Sequence, residues 1–566
     1  MNKQWKAIPY DQKAAQQLQL DLNIHPIFCQ LLAQRGISTF EAAKQFFRPS
    51  LSDLHDPLLM LGMEKAVRRI VQAIENQEQI LIYGDYDADG VTSVALLYSF
   101  LSPLHKKLHY YIPDRYKEGY GVSYQAIEQA QQQAIDLIIT VDCGITAHGP
   151  LKMAQYSGID CIVCDHHLPG ESLPEAFAIL DPKQADCEYP YKELSGCGIA
   201  FKLAQAINQH LARPFHHCEV LLDLVAISTA ADIVEMRGEN RVLVHFGLQQ
   251  LNQGKRLGLN RLIENSGRTR PLSVSDVVFG IAPLINASGR LADAKQAVKL
   301  LLATSKNDAA DLTRLLELRN KMRREYDQRI AAEASELFQK ETDWQEKSSI
   351  VLYQKHWHKG VIGIAASRMV EKFHRPSFIL TESEGQIVGS ARSIKGVNIH
   401  NALEACSDLL TNFGGHQYAA GLKMRKENLF FFQDRMEAYL KTQLAETDKT
   451  PTINYSAILD FKDITNAFWD ILKQFAPFGP GNRNPIFVSR RVKDSGYSKT
   501  LSGKHLRLSV KQKESQVMSG IGFGLGEKYN LMNNGKQFDL CYNLQVNRWK
   551  GNVSMQMMVK DVKPFT

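Results

Sequence analysis

Residues 81–93 read Leu-Ile-Tyr-Gly-Asp-Tyr-Asp-Ala-Asp-Gly-Val-Thr-Ser, and the rest of the chain is read outward from them. The apolar run Ile80, Leu81, Ile82, Tyr83 predicts a buried strand that stops at Gly84. A helical pattern begins after Gly90 with Val91, Val94, Leu96 and Leu97. Between strand and helix stand Asp85, Asp87 and Asp89, one carboxylate at every second position. Three anions that close repel one another, and a folded chain keeps them together when cations neutralise them. Hard carboxylate oxygens suit Mg²⁺ or Mn²⁺. The bland alternative for this stretch alone is an Asp-rich turn capping the helix.

Two later stretches repeat the arrangement. Asp136-Leu-Ile-Ile-Thr-Val-Asp-Cys-Gly144 predicts a second buried strand ending in Asp142. Asp160-Cys-Ile-Val-Cys-Asp-His-His167 predicts a third, ending in Asp165, His166 and His167. Ligands of a parallel α/β sheet bind beyond the carboxyl ends of its strands, so three strands deliver acids and imidazoles to one edge. Farther on, the apolar stretch Leu221–Val234 carries Asp232 near its end, a buried carboxylate that needs a partner such as a metal.

At 566 residues the chain is too long for one core. Strands expected near 79–83, 108–112, 136–141, 160–164 and 177–180 alternate with helices, the pattern of a doubly wound parallel sheet. Residues 306–340 run without glycine or proline and predict a long helix between lobes, with Leu312, Leu315, Met322, Tyr326, Ile330 and Leu337 on its apolar face. An ordinary core helix is the alternative. A second α/β unit follows. It holds Gln386-Ile-Val-Gly-Ser-Ala-Arg-Ser393, where Ser390 and Arg392 share one side of a strand, and the glycine-rich turn Gly414-Gly-His-Gln-Tyr-Ala-Ala-Gly421 around His416. Residues 446–452 read as a linker, and 475–485 as a stretch too turn-rich for a helix. Five short strand-like runs with interleaved Lys, Arg, Phe523, Tyr542 and Trp549 then fit a small OB-type barrel. The boundaries expected are a helical segment at 1–60, an α/β domain at 61–240, a helical connector at 241–345, a second α/β domain at 346–446 and the barrel at 453–566.

From Pro485 to Thr566 there are 14 Lys or Arg against 5 Asp or Glu, although the whole chain carries only +7. A basic end on a near-neutral body points to a polyanion, nucleic acid first. Nine scattered cysteines, an odd number, point to reduced thiols and a cytoplasmic protein. Cys161 and Cys164 have zinc-like spacing but lie within one predicted strand, so a structural role is expected. No apolar run reaches the length of a membrane span, and Met1–Lys6 lack the apolar core of a signal peptide.

Taken together, Asp-Tyr-Asp-Ala-Asp-Gly, Asp-Cys-Gly, Asp-His-His, Asp232, Asn286-Ala-Ser-Gly-Arg290 and the Gly-Gly-His turn resemble the DHH phosphoesterase superfamily. The barrel and full length resemble its single-strand-specific exonuclease branch. The resemblance implies a DHH catalytic domain, a DHH-associated domain and an OB domain. It implies hydrolysis of single-stranded DNA from the 5′ end to 5′-mononucleotides, in DNA repair and recombination, with two divalent ions (Mn²⁺ or Mg²⁺) and no protein nucleophile. By the same resemblance Asp87 holds one ion, Asp89, His166 and Asp232 hold the other, and Asp142 touches both. His167 meets a phosphate oxygen, and Asp165 orients the histidines. Arg115, Arg290, Ser390 and Arg392 match a pocket for the 5′ terminus, and His416 is counted with them as substrate-binding. Pyrophosphatase-like members carry a metal-binding histidine where this chain has Tyr83, so the first ion is expected to be held more weakly, helped by Asp85. Implied partners are single-stranded DNA, single-strand-binding protein and a RecQ-type helicase, with the enzyme a monomer away from membranes. The alternatives are a DHH-family phosphodiesterase acting on short oligonucleotides or small phosphates, and a non-catalytic DNA-binding scaffold. The basic terminus argues against the first, and the retained carboxylates argue against the second.

Overall fold

Alternation along the strands builds the first sheet. In β1 (Ile80–Gly84) Ile80 and Ile82 enter the core on one face, while Leu81 and Tyr83 enter the core on the other. A computed structural model gives the structure of the chain and describes residues 3–291, 293–445, 450–532, 535–549 and 552–565. With β2 (Leu108–Tyr111), β3 (Leu137–Val141), β4 (Asp160–Cys164) and β5 (Ala178–Leu180), β1 forms an all-parallel sheet in the order 2-1-3-4-5. Each predicted strand is present within a residue or two. Both faces are covered, as parallel sheets require. Cys164 lies in the core of one face and Cys161 in that of the other, so the two thiols cannot share a zinc ion. Helices α1 (Ala88–Leu101), α2 (Gly196–His210) and α3 (Leu222–Ala231) pack on one another on the Ile80 side, and α4 (Gly238–Gln253) follows α3 antiparallel to it.

Beyond the sheet, α5 (Ala282–Leu291) leads to α6 (Lys306–Lys340), which Ser305 caps by accepting the Asp308 amide at 3.1 Å. At 1.5 Å per residue this helix spans roughly 50 Å. Ala309 and Leu316 enter the core of the first lobe, and Ile330, Ala334 and Phe338 that of the second. The helix is therefore a strut that shares in both cores. Its buried stripe differs from the expected one. Met322 is exposed, and Thr313, Asn320 and Asp327 are buried instead, because Asp327 accepts both guanidinium arms of Arg368 at 2.8 and 2.6 Å.

The second lobe holds β6 (Ile350–Tyr353), α7 (Ile362–Phe373), β7 (Ser377–Ser383), β8 (Gln386–Arg392), β9 (Leu410–His416) and β10 (Ala419–Met424), in the order 9-10-8-7-6 with only β6 and β7 parallel. The C-terminal barrel comprises β11 (Phe487–Asp494), β12 (His505–Lys511), β13 (Met518–Gly522), β14 (Phe538–Trp549) and β15 (Asn552–Pro564). Strand β11 pairs with both β14 and β12, which closes the ring through β15 and β13. Phe523 is exposed as a stacking residue would be, but Tyr542 is buried inside the barrel and donates no surface. The Trp549 side chain and linker residues 446–449 lie outside the described residues. The N-terminal helices pack into the same core as the barrel through Leu18, Phe28, Leu31 and Leu32, and Gln4–Ala7 pairs parallel with Thr452–Tyr455.

A buried ion pair ties the 51–59 segment to the first lobe. Lys202 Nζ donates to Glu239 at 2.8 Å and to the His55 carbonyl at 2.6 Å, and Glu239 also accepts Tyr189 Oη at 2.6 Å. Both charged side chains are fully buried. Glu239→Ala leaves an unpaired ammonium in the core and is expected to destabilise this lobe by about 3–5 kcal/mol. Urea titration followed by a probe in the first lobe measures it; an unchanged midpoint contradicts the assignment.

Candidate active site

The carboxyl edge of the sheet collects the acids. Asp87 caps α1, accepting the amides of Asp89 and Gly90 at 2.8 and 3.1 Å. Asp89, one position into the helix, turns inward. It accepts Gly196 N and Cys197 N at 2.8 Å each from the start of α2, and Ser228 Oγ at 2.6 Å from α3. Asp142 follows β3 with φ +60°, in the left-handed region that a side chain rarely occupies. Asp165 follows β4 and accepts the amides of Ile145 at 2.9 Å and His166 at 2.7 Å. Asp232 caps the C-terminus of α3.

These groups converge. His166 Nε2 lies 3.0 Å from Asp142, 3.7 Å from Asp232 and 3.8 Å from Asp89. Donor atoms of Asp89, His166 and Asp232 all lie within 4.8 Å of one another, as do those of Asp85, Asp87 and Asp142, and those of Asp142, His166 and His167. The first group joins the residues expected to hold the second ion, and the next sets Asp85 beside Asp87 and Asp142, expected to hold the first. Burial, then the charges of Asp89, Asp87, Asp85 and Asp232, holds the Asp142 carboxyl well above the usual carboxylate range. Burial and Asp87 raise Asp85 likewise, and burial with Asp89 and Asp87 brings Asp232 up to about 8. Asp85 Oδ1 is buried with no hydrogen-bond partner. An edge of oxygen and imidazole donors with excess negative charge and an orphaned carboxylate oxygen fits Mg²⁺ or Mn²⁺.

His167 has a different setting. Its Nδ1 meets Asp165 at 2.7 Å and its Nε2 the Tyr120 hydroxyl at 2.9 Å. Burial opposes its charge, but the hydrogen bond and charge of Asp165 outweigh that and bring the imidazole to about 9. Burial likewise pushes Asp165 up, and His167 more than offsets it, so Asp165 sits below its ordinary value. His167 is thus a cation at neutral pH. Tyr83 is held elsewhere: it stacks on Tyr111 and donates to the Gly121 carbonyl at 2.8 Å.

Beside the acids stands a cluster of the opposite sign. The Arg115 guanidinium lies 5.0 Å from the ring centre of Tyr86, between Asp85 and Asp87 in sequence. Arg290, on α5, donates to the Gly360 carbonyl of the second lobe at 3.3 Å, and its own carbonyl accepts Tyr116 Oη. Burial first, and then Arg115, Arg323 and Arg392, bring Arg290 down to about 10. Arg392 donates to Ser390 Oγ at 3.0 Å and is lowered by burial and by Arg115. None of the three has a carboxylate ion pair among the described residues. His416 is exposed at the end of β9, and among the described residues no hydrogen bond or ion pair joins it to either cluster. The pattern in sequence missed the residues that hold these groups, among them Gly196, Ser228 and Tyr120. Asn286 Oδ1 accepts the Ala88 amide at 2.8 Å, and Gly289 lets α5 approach the Tyr86 carbonyl, which explains the Asn-Ala-Ser-Gly-Arg motif as a dock for the 85–89 loop.

Comparison with known proteins agrees with this geometry. The DHH family N-terminal domain matches residues 79–229, the DHHA1 domain 346–442 and the RecJ OB domain 455–561. The chain is 37% identical to the single-stranded-DNA-specific exonuclease RecJ of Bacillus subtilis, over 98% of its own length and 70% of that protein. It is 32% identical to the Escherichia coli protein of the same name, over 96% and 97%. The Mn²⁺ complex of Thermus thermophilus RecJ superposes with a TM-score of 0.84 at 28% identity, covering 99% of this chain and 79% of that one. The α/β fold with a DHH domain, a DHHA1 domain and a C-terminal OB barrel is thus established, and the chain belongs to the RecJ family of DHH phosphoesterases.

Proposed function

We propose that this chain is a metal-dependent exonuclease that degrades single-stranded DNA from the 5′ end and releases 5′-mononucleotides. One observation carries the reading: a buried carboxylate cluster on one lobe adjoins three arginines, drawn from both lobes, that form no carboxylate ion pair among the described residues. The acids need cations and the arginines need anions, and a nucleic-acid 5′ end with its two ions satisfies both. Bound divalent ions supply Lewis-acid stabilisation of phosphoryl oxygens and make water a nucleophile near neutral pH. Asp87 would hold one ion with Asp85 beside it, Asp89, His166 and Asp232 the other, and Asp142 both. Asp165 fixes His167 as a cation, suited to a phosphate oxygen. Arg115, Arg290, Ser390 and Arg392 would grip the terminal phosphate, with planar guanidinium forks that match its oxygens. All nine cysteines are buried thiols, none needed for the reaction and all suited to a reducing cytoplasm.

The barrel would supply grip through its basic surface and exposed rings such as Phe523. No described helix is long and apolar enough to cross a membrane. Single-strand-binding protein and a RecQ-type helicase are proposed partners on family resemblance, and co-purification with each tests them.

Two measurements test the roles. Asp142→Asn removes a carboxyl whose ionisation the buried, crowded cluster opposes, so in chelator the variant is expected to melt above the unchanged chain. It should lose most of the stabilisation that Mn²⁺ confers, and with it cleavage. An undiminished Mn²⁺ shift with normal turnover contradicts the bridging role. Arg392→Ala should weaken productive binding of 5′-phosphorylated strands roughly ten- to a hundredfold, the worth of a charge-assisted hydrogen bond of about 1.5–3 kcal/mol. The preference for 5′-phosphate over 5′-hydroxyl ends should shrink with it. An unchanged preference removes Arg392 from the pocket.

A further inference from the structure

The turn-rich stretch at 475–485 does not merely join two elements of the barrel. It lies against the loop that follows Asp232. Met236 N donates to the Pro480 carbonyl at 2.7 Å, and Arg237 Nε donates to the Gly481 carbonyl at 2.8 Å. The approach is close. A Cβ at Gly479 would stand 3.0 Å from Met236 Cβ, and one at Gly481 would stand 2.8 Å from Arg237 Nε, at a residue whose φ is +71°.

The loop is one that needs holding. Ile233, adjacent to Asp232, has φ +61° and is 65% exposed. A β-branched residue in the left-handed region is costly and persists only where its surroundings over-determine it. On one side Asn240 Nδ2 and Tyr191 Oη donate to the Glu235 carbonyl at 2.9 and 3.2 Å. On the other side stands the turn. It is itself stiff: Gly479 and Asn482 exchange both backbone hydrogen bonds, and Asn482 Nδ2 donates to the Phe475 and Pro477 carbonyls at 2.8 Å each. Asn482 Oδ1 accepts Arg35 Nε at 2.6 Å, and Arg241 donates to the carbonyls of Gln474 and Phe475 at 3.0 Å each.

We propose that the 477–482 turn of the barrel segment is a positioning element of the metal centre, which fixes the 233–237 loop and thereby aims Asp232 at Asp89 and His166. The barrel and the metal centre are then one mechanical unit, with Arg237 and Gly481 as the positioning residues. The inference rests on the reading of Asp89, His166 and Asp232 as one ion site.

The test uses the full-length chain and Mn²⁺ alone, with bound and free ion measured by electron paramagnetic resonance. Asp232→Asn is the reference and should weaken one of two binding events. If it binds Mn²⁺ as the unchanged chain does, the ion-site reading itself fails. Arg237→Ala and Gly481→Ala should weaken that same event about tenfold or more, the usual cost of losing a group that orients a ligand, and leave the other event unchanged. Arg237→Lys keeps a donor for the Gly481 carbonyl and should recover most of the affinity. Arg237 is exposed, so Arg237→Ala carries the test even if Gly481→Ala does not fold. Native Mn²⁺ affinity in Arg237→Ala, with only a lowered melting temperature, overturns the proposal: the turn would then be adhesive between lobes and nothing more.

Discussion

Repulsion among buried carboxylates around Asp142 is the constraint on which the structure turns. Four other aspartates, Asp89, Asp87, Asp85 and Asp232, raise its proton affinity. Asp89 is fixed by two amides at the start of α2 and the Ser228 hydroxyl, and Asp87 by the amides of its own helix. Hydrogen bonds from neutral donors position the anions without cancelling their charge. That crowding opposes ionisation of Asp142, Asp85 and Asp232, a cost that a divalent cation relieves.

Arginines from both lobes answer with the opposite charge. Arg392 comes from β8 and Arg290 from α5, and the Arg290 contact to Gly360 crosses between lobes. Helix α6 shares in both cores and so ties the lobe of the acids to the lobe of Arg392.

Much of this was legible in the sequence because it is periodic. Short apolar runs between helical patterns marked the five strands of the first sheet, and the unbroken helical stretch at 306–340 marked α6. Asp89, His166 and Asp232 were legible as a set through family resemblance, because each follows a predictable strand or helix end. What was not legible depends on long-range approach. Tyr542 is one of three aromatics interleaved in the strand-like runs, and only barrel closure of β11 on β12 and β14 shows that it is buried. The buried stripe of α6 is polar in part because Arg368, 41 positions away from Asp327, supplies its partner. His416 reads as part of a substrate turn, but pairing of β9 with β10 leaves it at an exposed hairpin end. The 475–485 stretch was legible only as turns, because its partners at 236 and 237 are distant in sequence.

Anomalous diffraction from crystals soaked in Mn²⁺ tests most directly whether this cluster is a two-ion centre. The account predicts two manganese peaks, one among Asp85, Asp87 and Asp142, and one among Asp142, Asp89, His166 and Asp232. Saturating Mn²⁺ with no peak at these residues, or with peaks only elsewhere, would contradict it.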